Sequence, residues 1–569
     1  MLERASGPPQ QQSPPLTFNL VDEPWLPCLL LDGTARALSL RDLLHQAHQV
    51  QDLVLDTATQ YPPIVRMMLA VIHRAVGQGA NPGPRSRDEW GALWELGKLP
   101  ADRIDQYLDQ VRHRFDLFHP QTPFGQVAGL RSASGDTKTI SLVIPYLAAG
   151  NNTPLFCSVR DDQPPALTPA EAARWLLHAH AWDTAAIKTA AAGDPKAKAG
   201  KTTGNPTGPL GQMGVLIPTG QTLWHTLLFN LMILKNEISG SGDQPSWERP
   251  AADATWRERT PAGLLDLYTW LSRRVRLVVA PAADGPRIQR IIVCAGDRLR
   301  SEDLFQTEPQ TAWRRSKTQP AKLGREVYMP VTHRPGRQLW RGLGTILPHQ
   351  QATEPSGSER KPASVLVQLR GLADGEFAEQ LRGHPLLLRA VGMSYGNQNA
   401  VIEETYLDDL PLPVAVLRAD QNWESVALDG VRDAETAARH LGHLATNLAK
   451  AAGCRDDRVL GSRRDNAQMI LYATLDQLFR RWLAGLGAHA PQRTARVSQQ
   501  QARDEWRSDV RARTFQIADN LLLGVPPTAI RGRRVRINRD RSEWISAALA
   551  EFWFRKALNN DLPRPDQEI

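Results

Sequence analysis

Cysteine is scarce in this chain: 569 residues contain only Cys28, Cys157, Cys294 and Cys454, far apart and without a CxxC spacing. That excludes a disulfide framework and a cysteine-ligated zinc site, and it suits a reducing cytoplasm. No run of 18 apolar residues occurs, so no membrane-spanning helix is expected. Residues 1–15 are rich in Pro and Gln and carry no apolar stretch, which reads as a disordered tail over 1–16 and not as a signal peptide. Catalytic signatures are missing as well: there is no GxSxG elbow, HExxH, kinase set or internal repeat. The pairs His178/His180 and His440/His443 lack Cys or carboxylate partners at metal-ligand spacing, so they read as helix-face histidines. The chain is therefore expected to be no enzyme, with no metal and no cofactor.

What is present is an ordinary globular composition, 41% hydrophobic and 22% charged, long enough for two to four domains. The net charge of +8 is unevenly placed. Residues 431–569 hold 24 Lys and Arg against 16 Asp and Glu, while the preceding 430 residues balance at 44 each. A basic C-terminal module on a neutral body points to a phosphate-bearing partner; the competing reading is an Arg-rich solvated surface.

Periodicity gives an α+β chain. Residues 17–30 suggest a strand, a Pro-marked turn and a second strand, and Asp32-Gly33 suggests a hairpin turn. Ser39 is placed to cap a short helix, and helical spacing covers 63–76, 104–115, 169–182 and 222–234. Strands are expected at 215–217, 275–279, 288–293 and 363–369, with an exposed polar stretch at 350–361. Residues 184–214, with six glycines from Gly193 to Gly214 among Lys188, Lys196, Lys198 and Lys201, form a long irregular segment of the kind that is usually functional. After about 425 the texture changes to four amphipathic segments, 434–452, 465–486, 498–523 and 542–559, read as an antiparallel four-helix bundle. Domains are thus expected at 17–425 and 426–569.

Three stretches carry candidate chemistry. Residues 193–202 (G-D-P-K-A-K-A-G-K-T) end like a phosphate-binding loop, but six residues separate the glycines where a P-loop has four. Lys196, Lys198 and Lys201 could still meet nucleic-acid phosphates. Residues 531–541 hold six arginines in eleven positions, Arg531, Arg533, Arg534 and Arg536 among them, and Arg298 and Arg300 form a second basic area. The third stretch is 394–400, S-Y-G-N-Q-N-A. Gly396 and Asn397 tolerate positive φ, and Gln398 and Asn399 offer amides that suit base edges. The plain alternative is a surface turn capped by its own Asn side chains.

Several segments together resemble one family, CasA, the large subunit of the type I-E CRISPR surveillance complex Cascade. They are F-N-L-V-D-E-P-W-L-P, F-H-P-Q-T-P-F-G-Q, G-P-L-G-Q-M-G, G-Q-T-L-W-H-T-L-L-F-N-L, W-L-S-R-R-V-R-L, W-R-R-S-K and S-Y-G-N-Q-N-A, in that order over nearly the whole chain. The resemblance implies an α/β domain followed by a four-helix bundle. It also implies a nuclease-free role: reading the motif flanking a DNA target from the minor groove, helping to open the duplex and recruiting a helicase–nuclease. The implied partners are the backbone, small and guide-handle-binding subunits, the guide RNA and double-stranded target DNA. The family's wedge falls on Gln398-Asn399-Ala400, with Asn399 where the familiar pattern has Gln, and Asn397 beside it is a further wedge candidate. Its minor-groove glycine loop falls on 193–208, with Gly204 and Gly208 as candidates, and its groove-reading cation falls near Arg298 and Arg300. Its mobile loop falls on about 150–165, represented by Asn151, Asn152, Phe156 and Arg160. Two rival readings stay open: a nucleotide-dependent enzyme using 193–202, and a nucleic-acid scaffold without motif recognition.

Overall fold

The apolar spacing at 63–76 becomes a central helix, α1 (Tyr61–Val76), whose residues are buried almost throughout. Burial of its Arg66 is made tolerable by Glu308 at 2.7 Å and Gln310 at 2.9 Å, since a buried cation needs a partner and filled hydrogen bonds. The computed structural model describes residues 16–564 apart from 80, 155–156, 158, 160–161, 236–241, 301–303, 317, 319–323, 349–358, 383, 488–494 and 537–541. The expected tail and most of the polar stretch 350–361 lie outside the described residues.

Around α1 lie small antiparallel sheets. β1 (Leu26–Leu30) turns back through Gly33, at φ 83°, into β2 (Ala35–Leu38). The earlier half of 17–30 forms no strand; Asn19 makes a single bridge to Asp116. Thr168 and Glu171 form a reciprocal cap on α2 (Pro169–Trp182), with Pro169 in the first turn. β3 (Val215–Thr219) is buried throughout. β4 (Arg273–Ala280) pairs with β5 (Arg287–Ala295) as the alternation predicts. Residues 363–369, expected as a strand, instead begin a helix, α3 (Ser364–Ala373). Its buried Val365, Leu366, Leu369 and Leu372 follow helical spacing, which the run of Val and Leu disguised. β6 (Leu387–Tyr395) then lies between β3 and β7 (Ile402–Pro411), antiparallel to both.

The C-terminal helices are α4 (Trp423–Ala452), α5 (Asp457–Gly485) and α6 (Ala495–Leu523), followed by a two-stranded ribbon, β8 (Arg533–Arg536) and β9 (Ser542–Ile545), and α7 (Ala547–Asp561). The α4 stripe Ala434, Ala438, Leu441, Leu444 and Leu448 is buried as the spacing predicts. The fourth segment is shorter at its start than 542–559 implies, because Ser546 caps the helix by accepting from Leu549 N and the four residues before it pair as a strand. Within α7, Phe554 is buried and Phe552 faces out, 59% exposed. The helices are fastened to the rest through α5: Phe479 stacks on Trp340 at 4.5 Å, and Arg480 donates to Asp408 at 2.7 Å and to the Asp409 carbonyl at 2.6 Å. No described helix is long and apolar enough to cross a membrane.

Candidate nucleic-acid interface

β6 and β7 pair from Leu387–Pro411 outward to Tyr395–Ile402 and close in an exposed tip. Gly396 N donates to Val401 O at 2.9 Å, and Asn399 N donates to Gly396 O at 2.8 Å. The turn is made differently from the expectation. Gly396 sits at φ −78°, and the left-handed residues are Gln398 and Asn399, at φ 53° and 56°. Asn adopts that region readily; Gln does not, at a strain of about 1 kcal/mol. Asn397, Gln398 and Asn399 are exposed and Ala400 is half-buried. The amides therefore stand in solvent on a turn of fixed shape.

Two bonds secure this tip from below. Ala185 N donates to Asn399 O at 2.8 Å, and the Tyr395 hydroxyl donates to Trp182 O at 2.6 Å. Gly211 lies directly under that hydroxyl, since a Cβ there would come within 2.6 Å of it. The stretch that accepts the tip, 182–185, leads from α2 into the glycine- and lysine-rich segment, and it holds a buried ion cluster. Asp183 pairs with Lys188 Nζ at 2.7 Å and with the Arg273 guanidinium, all three being buried. Burial alone would raise the Asp183 carboxyl, but Lys188 and Arg273 outweigh it and hold the pKa at about 2. Arg273 also donates to the carbonyls of Thr184 and Pro206, each at 2.8 Å, while Gly208 N donates to Asp183 O at 2.8 Å.

The glycine turn is tied to the same cluster. Asn205 donates to Ala186 O at 3.3 Å and to Thr202 O at 2.8 Å. Arg298 donates to Thr203 O at 2.6 Å and lies 3.8 Å from the centroid of the Trp256 ring, where Lys196 also rests at 4.0 Å. Gly204 is exposed at φ 68°, with Arg298 Nη1 3.6 Å from the position a Cβ would take. Gly204 and Arg298 are thus neighbours, with backbone open to approach beside a stacked guanidinium. Gly208 is not part of that surface: a Cβ there would sit 2.4 Å from the Ala181 carbonyl, so this buried glycine serves close packing. Arg300 points its charge at Glu258, at 3.9 Å. Lys196, Lys198 and Lys201 are all exposed, and Lys196 also donates to Trp256 O at 2.8 Å.

The phosphate-loop reading of 193–202 is overturned by the same geometry. Lys201-Thr202 pairs back onto Lys188-Thr189 and no helix starts there, so the helix N-terminus that a phosphate-binding loop leads into is missing. The Thr202 hydroxyl donates to Asp194 at 3.2 Å. Among the described residues no group of three or more His, Cys, Asp or Glu is placed to hold a metal ion.

Of the mobile-loop candidates, Asn151 is exposed, and Asn152 donates to Pro145 O at 2.7 Å and Leu147 O at 3.3 Å, bracing its own turn. Phe156 and Arg160 lie outside the described residues. In the arginine-rich stretch the roles divide. Arg531, Arg534 and Arg536 are exposed, while Arg533 donates to the carbonyls of Ala451 and Ala452 at 3.0 and 3.1 Å and so caps the C-terminus of α4. Arg533 therefore belongs to the fold and not to a phosphate-gripping set. Asp183, Arg273 and Trp256 carried no signal as site residues, because Arg273 lies 90 residues from Asp183 and Trp256 62 residues from Asp194, while nearby Lys188 was visible only as one more lysine of the irregular segment.

With this geometry in place, comparisons with known proteins are informative. The family model for the CRISPR-associated protein Cse1 matches residues 19–517. The CRISPR-associated protein CasA/Cse1 of Thermus thermophilus is 29% identical over 510 residues, covering 88% of this chain and 91% of that one. The crystal structure of Thermobifida fusca Cse1 superposes with a TM-score of 0.83 at 34% identity, over 96% of this chain and 98% of the other. The fold also recurs, with a TM-score of 0.62 at 21% identity over 89% of this chain and 99% of the other, in a structure described as a CRISPR RNA-guided surveillance complex.

Proposed function

The chain belongs to the CRISPR-associated Cse1 family, and from that premise we propose that it is the non-catalytic large subunit of a type I-E RNA-guided complex in the cytoplasm. In this reading the body, 17–425, tests the motif flanking a double-stranded target from its minor groove. Gly204 admits the groove floor and Arg298 supplies the adjacent cation. The amide tip then enters between the first base pairs, at a cost of about a few kcal/mol per unstacked step that contacts elsewhere must offset. Exposed Lys198 and Lys201 hold nearby phosphates, and residues 426–569 face the companion subunits, the displaced strand and the helicase–nuclease. Base pairing to the guide RNA checks the remaining sequence.

One observation carries this proposal: the exposed tip and the Gly204–Arg298 turn are both fastened to residues 182–186 around the buried Asp183 cluster. A turn capped merely for its own stability has no need of that shared support. The test is duplex binding by the assembled guide-containing complex. Gln398→Ala with Asn399→Ala is expected to weaken binding to targets bearing the correct flank by about tenfold or more, the loss of roughly one good contact set. Binding to flankless DNA should stay unchanged. Equal effects on both DNAs would leave only a scaffold.

A further inference from the structure

The ribbon β8–β9 alternates cleanly between an inner and an outer face. Val535 and Glu543 are half-buried and Ile545 is 1% exposed, whereas Arg534, Arg536, Ser542 and Trp544 face solvent. Register pairs Arg534 with Trp544 and Arg536 with Ser542, so on one surface Arg534 lies directly across from the indole and Arg536 diagonal to it. Trp544 is 55% exposed, a large apolar ring left in water where the inner face has a core to join.

The ring is nonetheless held in place. Ile545 packs with Ala451 and Ala529, with Val535 against them, and the Arg533 cap pins the first strand to the end of α4. Gly532, at φ 74°, lets the chain turn beneath the indole: a Cβ there would sit 2.9 Å from Trp544 Nε1. The exposed indole is therefore a presented surface and not a loose end.

We infer that the outer face of this ribbon is a stacking platform for single-stranded DNA. Unpaired bases offer π-faces that an indole can cover, while the arginine across from it meets a phosphate. The basic surplus of residues 431–569, 24 Lys and Arg against 16 Asp and Glu, supplies the complementary charge. Duplex DNA fits poorly, because its bases are already stacked on one another. Trp and Arg are also enriched at protein interfaces, so the oligonucleotide and companion-subunit measurements together separate the two occupants. The inference rests on the reading above for its source of single strand, namely the strand displaced when the duplex opens.

The test uses the full chain and a dT12 oligonucleotide, by fluorescence polarisation at fixed ionic strength. Trp544→Ala is expected to weaken dT12 binding by about tenfold, and Trp544→Phe by much less, since each stacked base contributes about that factor. Arg534→Ala should reduce the slope of log K against log salt by about 0.7, one phosphate's worth for a single strand. Gln398→Ala with Asn399→Ala should leave dT12 affinity unchanged, so a failed flank-reading proposal and a failed platform give different patterns. Wild-type dT12 affinity in a folded Trp544→Ala variant would overturn the platform. So would loss of a companion subunit with dT12 affinity intact, which would make the face a protein dock. If Trp544→Ala does not fold, the phenylalanine and arginine variants decide.

Discussion

Beneath the amide hairpin the cations are buried and committed, whereas on the outer face of the ribbon beside the bundle Arg534 and Arg536 are exposed. Lys188 and Arg273 share one carboxylate, Asp183, and shape the backbone around it. Arg534 and Arg536, by contrast, are outward-facing members of a ribbon whose shape is set by Arg533, Val535 and Ile545. Charge at the first site is buried architecture; at the second it lies on the exposed face of the ribbon. Counting arginines along the chain makes the second site conspicuous and hides the first.

Acid should separate the two regions most strongly. Burial lowers His73, His178, His180 and His333 of the body to about 4, 3, 4 and 4, against roughly 6.5 in the unfolded chain. Between those values the unfolded chain takes up protons that the folded body refuses. Stability is thus complete above about pH 6.5 and drains as pH falls toward 4, at about 1.4 kcal/mol per unit for each histidine. Among the described residues of the bundle no histidine is fully buried; His443 is lowered by partial burial first, then by His440 and nearby cations. Hydrogen exchange at pH 5 should therefore show α2 losing protection before α4, and simultaneous loss would break the contrast.

Next in size is Asp183→Ala, which leaves two buried cations without their anion. Urea unfolding should show a loss of about 3–5 kcal/mol, accompanied by loss of flank-selective binding. Arg533→Ala should cost about 1.5–3 kcal/mol, the scale for charged-group hydrogen bonds. Its exposed neighbour is the sharpest control: Arg534→Ala should change stability by no more than about 0.5 kcal/mol. A large loss there would place Arg534 in the architecture as well.

Much of the architecture could be read from local pattern. The 275–293 hairpin, the α4 stripe and the Ser39 cap, whose side chain accepts from Asp42 N, all follow from spacing and turn chemistry within a few residues. Residues 363–369 misled because V-L-V-Q-L satisfies a short strand as well as a helix, and only packing chooses. At the tip the amide residues were identifiable, yet positive φ fell on Gln398 and Asn399 and not on Gly396. The bonds to Ala185 and Trp182 constrain that turn, and their donors and acceptors lie some 200 residues away. Gly208 looked like Gly204 in sequence; only the Ala181 carbonyl beside it reveals a packing role. Trp544 was hidden because its segment had been read as a helix, in which alternating exposure has no meaning.

The placement of β6 has a mechanical corollary. From Leu387 to Val391 it is clamped along both edges, by β3 and β7, whereas from Gly392 outward it is joined to β7 alone. The hairpin is a cantilever with its root built into the sheet, and the Tyr395 and Asn399 bonds act as props under the free end. A load on Gln398 is carried by those props and then by the root, so bending concentrates in the short overhang from Gly392 to Tyr395.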